Sequence, residues 1–170
     1  MTEDGTYLEL DGRPAVRFER RYPHSARRVW RAIVDPDESR HWFPSSLVIE
    51  ERIGGLVRFA DDPNQPDGSG RVLAYDPPHR LEFTWGGDEI HFALTDDGDG
   101  CLLRLTNLLE ATDTAARNAA GWTVCLLELD RMLADASGSG PHGEDEAPWQ
   151  PIYDAYVAAG MPHGAAIPGA

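Results

Sequence analysis

The chain has 170 residues, 41% hydrophobic and 26% charged, enough for one soluble domain with a sizeable core. Its 29 acidic and 15 basic residues leave a formal net charge of −14. So acidic a surface repels phosphate backbones and anionic bilayers, which counts against nucleic acid or membrane as a partner.

In chain order, "YLELDGRPAVRFERRY" alternates around Asp11-Gly12, a turn pair. A small first strand and a longer one near residues 15–22 follow from it. In "HSARRVWRAIVDP", Ser25 is a natural N-cap, and Ala26, Val29, Trp30 and Ile33 form an apolar stripe at helical spacing. Asp35-Pro36-Asp37-Glu38 restarts a short helix: Asp35 caps, Pro36 suits the first position, and Glu38 completes a capping box. It runs into Trp42-Phe43-Pro44.

From 46 to 109 the pattern changes to period two, in "SLVIEER", "LVRFA", "RVLAY", "RLEFTW", "EIHFAL" and "CLLRLTNLL". Gly, Asp and Pro punctuate the gaps, as in an antiparallel meander. Residues 113–136 return to helical period, and on a wheel of about 100° per residue Asn118, Trp122, Cys125, Leu126, Leu129 and Leu133 share one stripe. Glu128, Asp130 and Arg131 lie off it. Residues 137–148 form a polar, flexible linker; Trp149, Ile152, Tyr153, Tyr156 and Val157 then mark an amphipathic helix over 149–160, with a loose tail at 161–170. The domain proper is 1–136, with 1–14 as an N-terminal hairpin extension. The fold class is α+β: a curved antiparallel sheet of about six to seven strands wrapped around one long C-terminal helix, with two short helices after the first strand.

Several stretches in this order resemble the START-like (SRPBCC) superfamily and its helix-grip fold. They are "VWRAIVDPDESRHWFP" (29–44), "IGGLVRF" (53–59), "GRVLAYDPPHRLEFTW" (70–85) and "GW" (121–122). Together they cover about residues 15–136 and are similar to the bacterial branch resembling the C-terminal domain of heat-shock protein 90 ATPase activators. The resemblance implies a cavity between the sheet and the long helix, and a place in bacterial stress response. Members bind lipids, polyketides or other apolar ligands, some act as cyclases or hydrolases, and the chaperone activators act by protein contact. A small apolar ligand is the leading expectation. A protein partner or a homodimer is the second, and a cyclase- or hydrolase-type enzyme the third.

Strand parity names the candidate lining. Leu81, Phe83 and Trp85 share one face, and a two- or four-residue turn at Gly86-Gly87 brings Ile90, Phe92 and Leu94 to it. His91 then lies on the opposite face; a three-residue turn would reverse this. The candidate ligand set is Trp42, Phe43, Phe59, Tyr75, Phe83, Trp85, Phe92, Asn107, Trp122 and Leu126. Trp42 and Phe43 either seal the core or gate the mouth. Asn107 faces inward and bonds either a backbone group or a ligand. Tyr75 shares a face with Leu73 and offers a hydroxyl. A partner would use the cluster of Arg20, Arg21, Arg27, Arg28 and Arg31 (above all Arg20, Arg27 and Arg31) together with Trp149, Tyr153 and Tyr156.

No cofactor or metal is expected. The six histidines lack metal spacing, and no nucleophile elbow, Walker loop or dinucleotide fingerprint occurs. Cys101 and Cys125 read as buried thiols of a reducing cytosol, and "MTEDGTYLEL" lacks a signal-peptide pattern, so a cytoplasmic location is expected. Gly121 stands inside the long helix, where glycine costs about 1 kcal/mol. Either a strand or the helix pair approaches it closely, so that leucine overpacks that flank, or it opens room for a ligand.

Overall fold

The computed structural model describes residues 4–135 and 148–167. An N-terminal hairpin, β1 (Thr6–Leu10) and β2 (Arg13–Tyr22), leads to α1 (Ala26–Val34) and α2 (Pro36–Ser39). Six strands follow: β3 (Ser46–Ile49), β4 (Leu56–Ala60), β5 (Gly68–Asp76), β6 (Arg80–Trp85), β7 (Asp88–Asp97) and β8 (Gly100–Leu108). After a 3₁₀ turn come the long helix α3 (Ala115–Leu133) and then α4 (Trp149–Ala158). All strands join one antiparallel sheet in the order β1-β2-β8-β7-β6-β5-β4-β3. The sheet has eight strands, one more than expected, because the N-terminal hairpin extends it.

Local chemistry accounts for the helix starts. Ser25 Oγ accepts from Arg28 N at 3.2 Å, and Asp35 Oδ1 accepts from Asp37 N at 2.9 Å. Glu38 does not complete a capping box, because the Asp35 N–H donates to Arg31 O at 2.9 Å; the Glu38 carboxylate instead takes ion pairs from Arg28 at 3.0 Å and Arg31 at 3.2 Å. The inner faces of β2, β6, β7 and β8 alternate apolar residues toward the helical layer, with α3 against β2 and α1 against β7 and β8. Phe18, Leu81, Phe83, Ile90, Phe92, Leu103 and Leu105 are all at most 1% exposed. Each such side chain contributes about 1.5–3 kcal/mol by leaving water.

The far end of α3 is held differently. Arg20 sits on the inner face of β2 with Phe18 and Tyr22 and is only 4% exposed. Its guanidinium lies over the Phe18 ring and 4.0 Å from Asp130, and the Tyr22 hydroxyl donates to Asp130 at 2.7 Å. Glu128, placed off the buried stripe by the wheel, is 3% exposed and accepts from Arg131 at 2.8 Å. Burial, then the nearby Asp130 charge, pushes the Tyr22 hydroxyl far above the usual tyrosine range; burial also raises Tyr156. The folded state therefore holds these protons while the unfolded chain loses them. Stability is fully present below about pH 10 and falls as pH rises beyond it. Urea titrations across that range should show the decline, and Tyr22→Phe should flatten it; an unchanged slope would refute the assignment to Tyr22.

The linker expected at 137–148 lies, apart from Pro148, outside the described residues. Beyond it α4 packs along α3. The Tyr156 hydroxyl accepts from Gly5 N at 2.8 Å and lies 2.7 Å from Thr123 Oγ1. Residues 161–167, expected as a loose tail, run back along the start of α3. Ala116 N donates to Pro162 O, Ala165 N to Asp113 O, and Arg117 to Ala166 O. The Ala116 N–H is one of those that the first turn of a helix leaves open, while the Arg117 bond is made by its guanidinium.

Candidate functional site

The β6–β7 hairpin turns on two residues, Gly86-Gly87, with Trp85 paired to Asp88. Gly86 has φ +61°, a region that glycine enters without strain. The short turn fixes parity: Ile90 and Phe92 face inward with Phe83 and Trp85, and His91 pairs with Glu82 on the outer face. There His91 Nε2 lies 3.1 Å from Glu89 Oε1.

Asp88, just past the turn, anchors a polar network across β7, β8 and α3. Its Oδ2 accepts from Asn107 Nδ2 at 3.0 Å and Asn118 Nδ2 at 3.1 Å, and its Oδ1 accepts from Glu110 N at 2.8 Å. Asn107 Oδ1 in turn accepts from Asn118 Nδ2 and from the Trp122 indole N–H, each at 3.1 Å. Asn107 is 2% exposed, so these partners are what make its burial affordable in free energy.

Beside this network opens a cleft of about 550 Å³. Its walls are the β6–β7 tip, the β4–β5 loop (Asp62, Asn64, Gln65) and one flank of α3, with Trp149 of α4 and Ile167 closing the far side. Trp85, Asn107, Trp122 and Trp149 line it; the first three were expected as ligand residues and Trp149 as a partner residue. Phe43 and Phe59 stack against Trp85 at centroid distances of 5.3 and 4.8 Å and form its backing. Trp42, Phe83, Phe92 and Leu126 are 0% exposed and lie in packed core behind that layer. The space that the resemblance implied beneath α3 is largely filled by these rings, and the opening sits at one end of the grip.

Tyr75 stands apart from the cleft. A register shift in β5 between Val72 and Ala74 breaks the parity that linked it to Leu73. Leu73 points to solvent, while Tyr75 packs on Trp30 at 5.8 Å and donates to Glu51 at 3.1 Å. The arginines do not form one patch. Arg20 is buried, Arg21 pairs with Asp97, and Arg28 and Arg31 share Glu38, leaving Arg27 exposed. Tyr156 is 6% exposed, and Tyr153 stacks on Trp149 at 4.8 Å. Among the lining residues, Asp88, Glu110, Arg117 and Asn118 were not singled out from sequence. The available signal was Asn118, an amide on an otherwise apolar helical stripe.

Gly121 faces the cleft. A Cβ there would meet nothing within 4 Å, so no strand or helix approaches it and the expectation of overpacking does not hold. Gly121→Ala should stabilise the protein by about 1 kcal/mol through helix propensity alone. Urea denaturation measures this directly; a loss of stability would mean the flank is closed.

Among the described residues no helix is long and apolar enough to cross a membrane. No curated protein matches the chain. The fold is shared with solved structures. CalU16 from Micromonospora echinospora is 23% identical, with 91% of this chain and 94% of that one covered and a TM-score of 0.66. The conserved protein EF2215 from Enterococcus faecalis, of unknown function, is 24% identical over 91% of this chain and 89% of its own, with a TM-score of 0.72. The protein encoded by gene BPP1335 from Bordetella parapertussis is 24% identical over 92% and 89%, with a TM-score of 0.65. The family described as "Activator of Hsp90 ATPase homolog 1-like protein" matches residues 23–134, more than half of the chain. With the eight-stranded sheet gripping α3, that match establishes that the chain belongs to this START-like family.

Proposed function

We propose that the protein binds a small amphipathic ligand in the cleft between the β6–β7 hairpin and α3. The observation that carries this reading is the pairing of a tryptophan wall (Trp85, Trp122, Trp149) with a hydrogen-bonded polar wall (Asp88, Asn107, Asn118) around one opening. Ligand sites combine apolar surface with a few fixed polar groups in this way. Residues 149–167 belong to the binding unit on this reading, because Trp149 and Ile167 complete its rim.

A protein-interaction role finds less support. Of the surface it needs, Arg20 and Tyr156 are buried and Arg31 is paired with Glu38.

Gly121→Trp tests the proposal. Its side chain projects into open cleft rather than core, so the fold should survive and the cleft should fill. Screening apolar and amphipathic compounds by intrinsic fluorescence and melting temperature should give responses in the parent that the variant loses. A panel without response in the parent, or responses that persist in a folded Gly121→Trp, would overturn the proposal.

A further inference from the structure

We infer that α4 is a lid on the cleft: its Trp149 end lifts away to admit a ligand while its Tyr156 end stays fixed on α3. The ligand's part in this rests on the binding reading above. The helix is unequally held along its length. Tyr156 is the one buried residue among its ten, whereas α1 buries five of nine. An element with few buried contacts is among the first to open. At the Tyr156 end the anchors are several. Gly5 N–H donates to the Tyr156 hydroxyl at 2.8 Å. Thr123 gives its own hydroxyl proton to Ala119 O at 2.8 Å, so Tyr156 in turn donates to Thr123 Oγ1. Gly160, with φ +92°, then turns the chain so that Met161 N donates to Tyr156 O at 3.1 Å and Pro162 O accepts from Ala116 N at 2.9 Å.

The Trp149 end has no such anchors. Pro148 supplies no side-chain cap, and Gln150 bonds Asp154 within the helix. Among the described residues no hydrogen bond ties 148–152 to the rest of the domain. Trp149 stacks on Tyr153 of its own helix. Open space lies on both flanks. Trp149 faces the cleft, while Pro148, Pro151, Ile152 and Ala155 face a second cavity of about 580 Å³ that Tyr7 also lines. The helix is thus a partition between two spaces, and α3 is the element it packs on. Trp149 stands about two turns from Tyr156, roughly 10 Å along the axis, so a modest rotation about the fixed end carries the indole clear of the opening.

The two cysteines report this motion without any ligand. Cys125 lines the cleft on α3 and is 3% exposed; Cys101 is 1% exposed in β8, between β2 and β7. The full chain is labelled with dithionitrobenzoate across sub-denaturing urea. Lid opening exposes less surface than unfolding, and the urea dependence scales with the surface exposed. Cys125 should react about tenfold or more faster than Cys101, with a urea slope above zero and well below that of Cys101. Trp149→Ala should speed both thiols severalfold, because the open and the unfolded chain alike lack its packing. Leu81→Val, in the sheet, should speed Cys101 alone, because β6 is intact whether the lid is open or shut. A zero slope for Cys125 would mean that the reagent reaches it with the lid shut. A slope equal to that of Cys101 would mean that only unfolding exposes it. Either result overturns the lid, as does acceleration of both thiols by Leu81→Val. The ligand-binding reading is decided separately, by the Gly121→Trp screen.

Discussion

Trp42→Ala is expected to cost about 3–5 kcal/mol of folding stability, the range for emptying a buried tryptophan site. Trp42 is 0% exposed and meets Phe43 and Phe92 edge-on at 5.7 and 6.1 Å. Its indole N–H donates to Ala32 O, the carbonyl of a residue in α1, at 2.8 Å. Alanine therefore empties a large volume and orphans a buried acceptor together. Trp42→Phe separates the two effects: it keeps most of the ring packing and loses the hydrogen bond, at about 1–2 kcal/mol. Urea denaturation with a shared slope would measure both. Equal stability of Trp42→Ala and the parent would mean that the ring packing described here does not hold the short helices to the sheet. The effect should also reach the cleft, because Phe43 links Trp42 to the Trp85 wall.

Asn107→Ala is expected to cost about 2–4 kcal/mol. The substitution removes the acceptor of the buried Trp122 N–H and one of two acceptors of the Asn118 amide, and takes a donor from Asp88. Asn118 keeps its bond to Asp88, so the Trp122 indole bears the larger penalty. Asn107→Asp retains the acceptor oxygens but sets a second carboxylate against Asp88. It should therefore be destabilised too, and recover most as pH falls. Denaturation curves at neutral and mildly acidic pH distinguish the two variants. A stable Asn107→Ala with unshifted tryptophan emission would show that the network contributes little.

Where the chain obeys strict period two, its inner face was legible in the sequence. Leu81, Phe83, Trp85, Ile90 and Phe92 follow from alternation and a two-residue turn, because one shifted residue would invert a whole strand. Three features escaped that reasoning for physical reasons. A bulge in β5 reverses parity between Leu73 and Tyr75 without any unusual residue to mark it. Arg20 lies inward because β2 continues past the apolar layer to a point where α3 offers Asp130 as a counter-charge, a pairing of residues far apart in sequence. The cleft's charged rim comes from strand ends and loops, which carry no periodicity, so Asp88 and Glu110 looked like ordinary turn residues. The aromatic part of the candidate site was readable as a set of inward rings; which rings face the opening and which back it depends on packing between layers.

The strand order has a kinetic consequence. β3 through β8 pair each with the next along the chain, and β1 pairs with β2, so nearly the whole sheet is assembled from local hairpins. The seam between β2 and β8 is the exception, joining Ala15 to Leu108 and Tyr22 to Cys101 across most of the sequence. Closing that loop carries the entropic cost that slows folding, and it precedes the gain from burying Phe18 against Leu105. Substitutions along the seam should therefore act mainly on the folding rate, and those in the outlying hairpins on the unfolding rate.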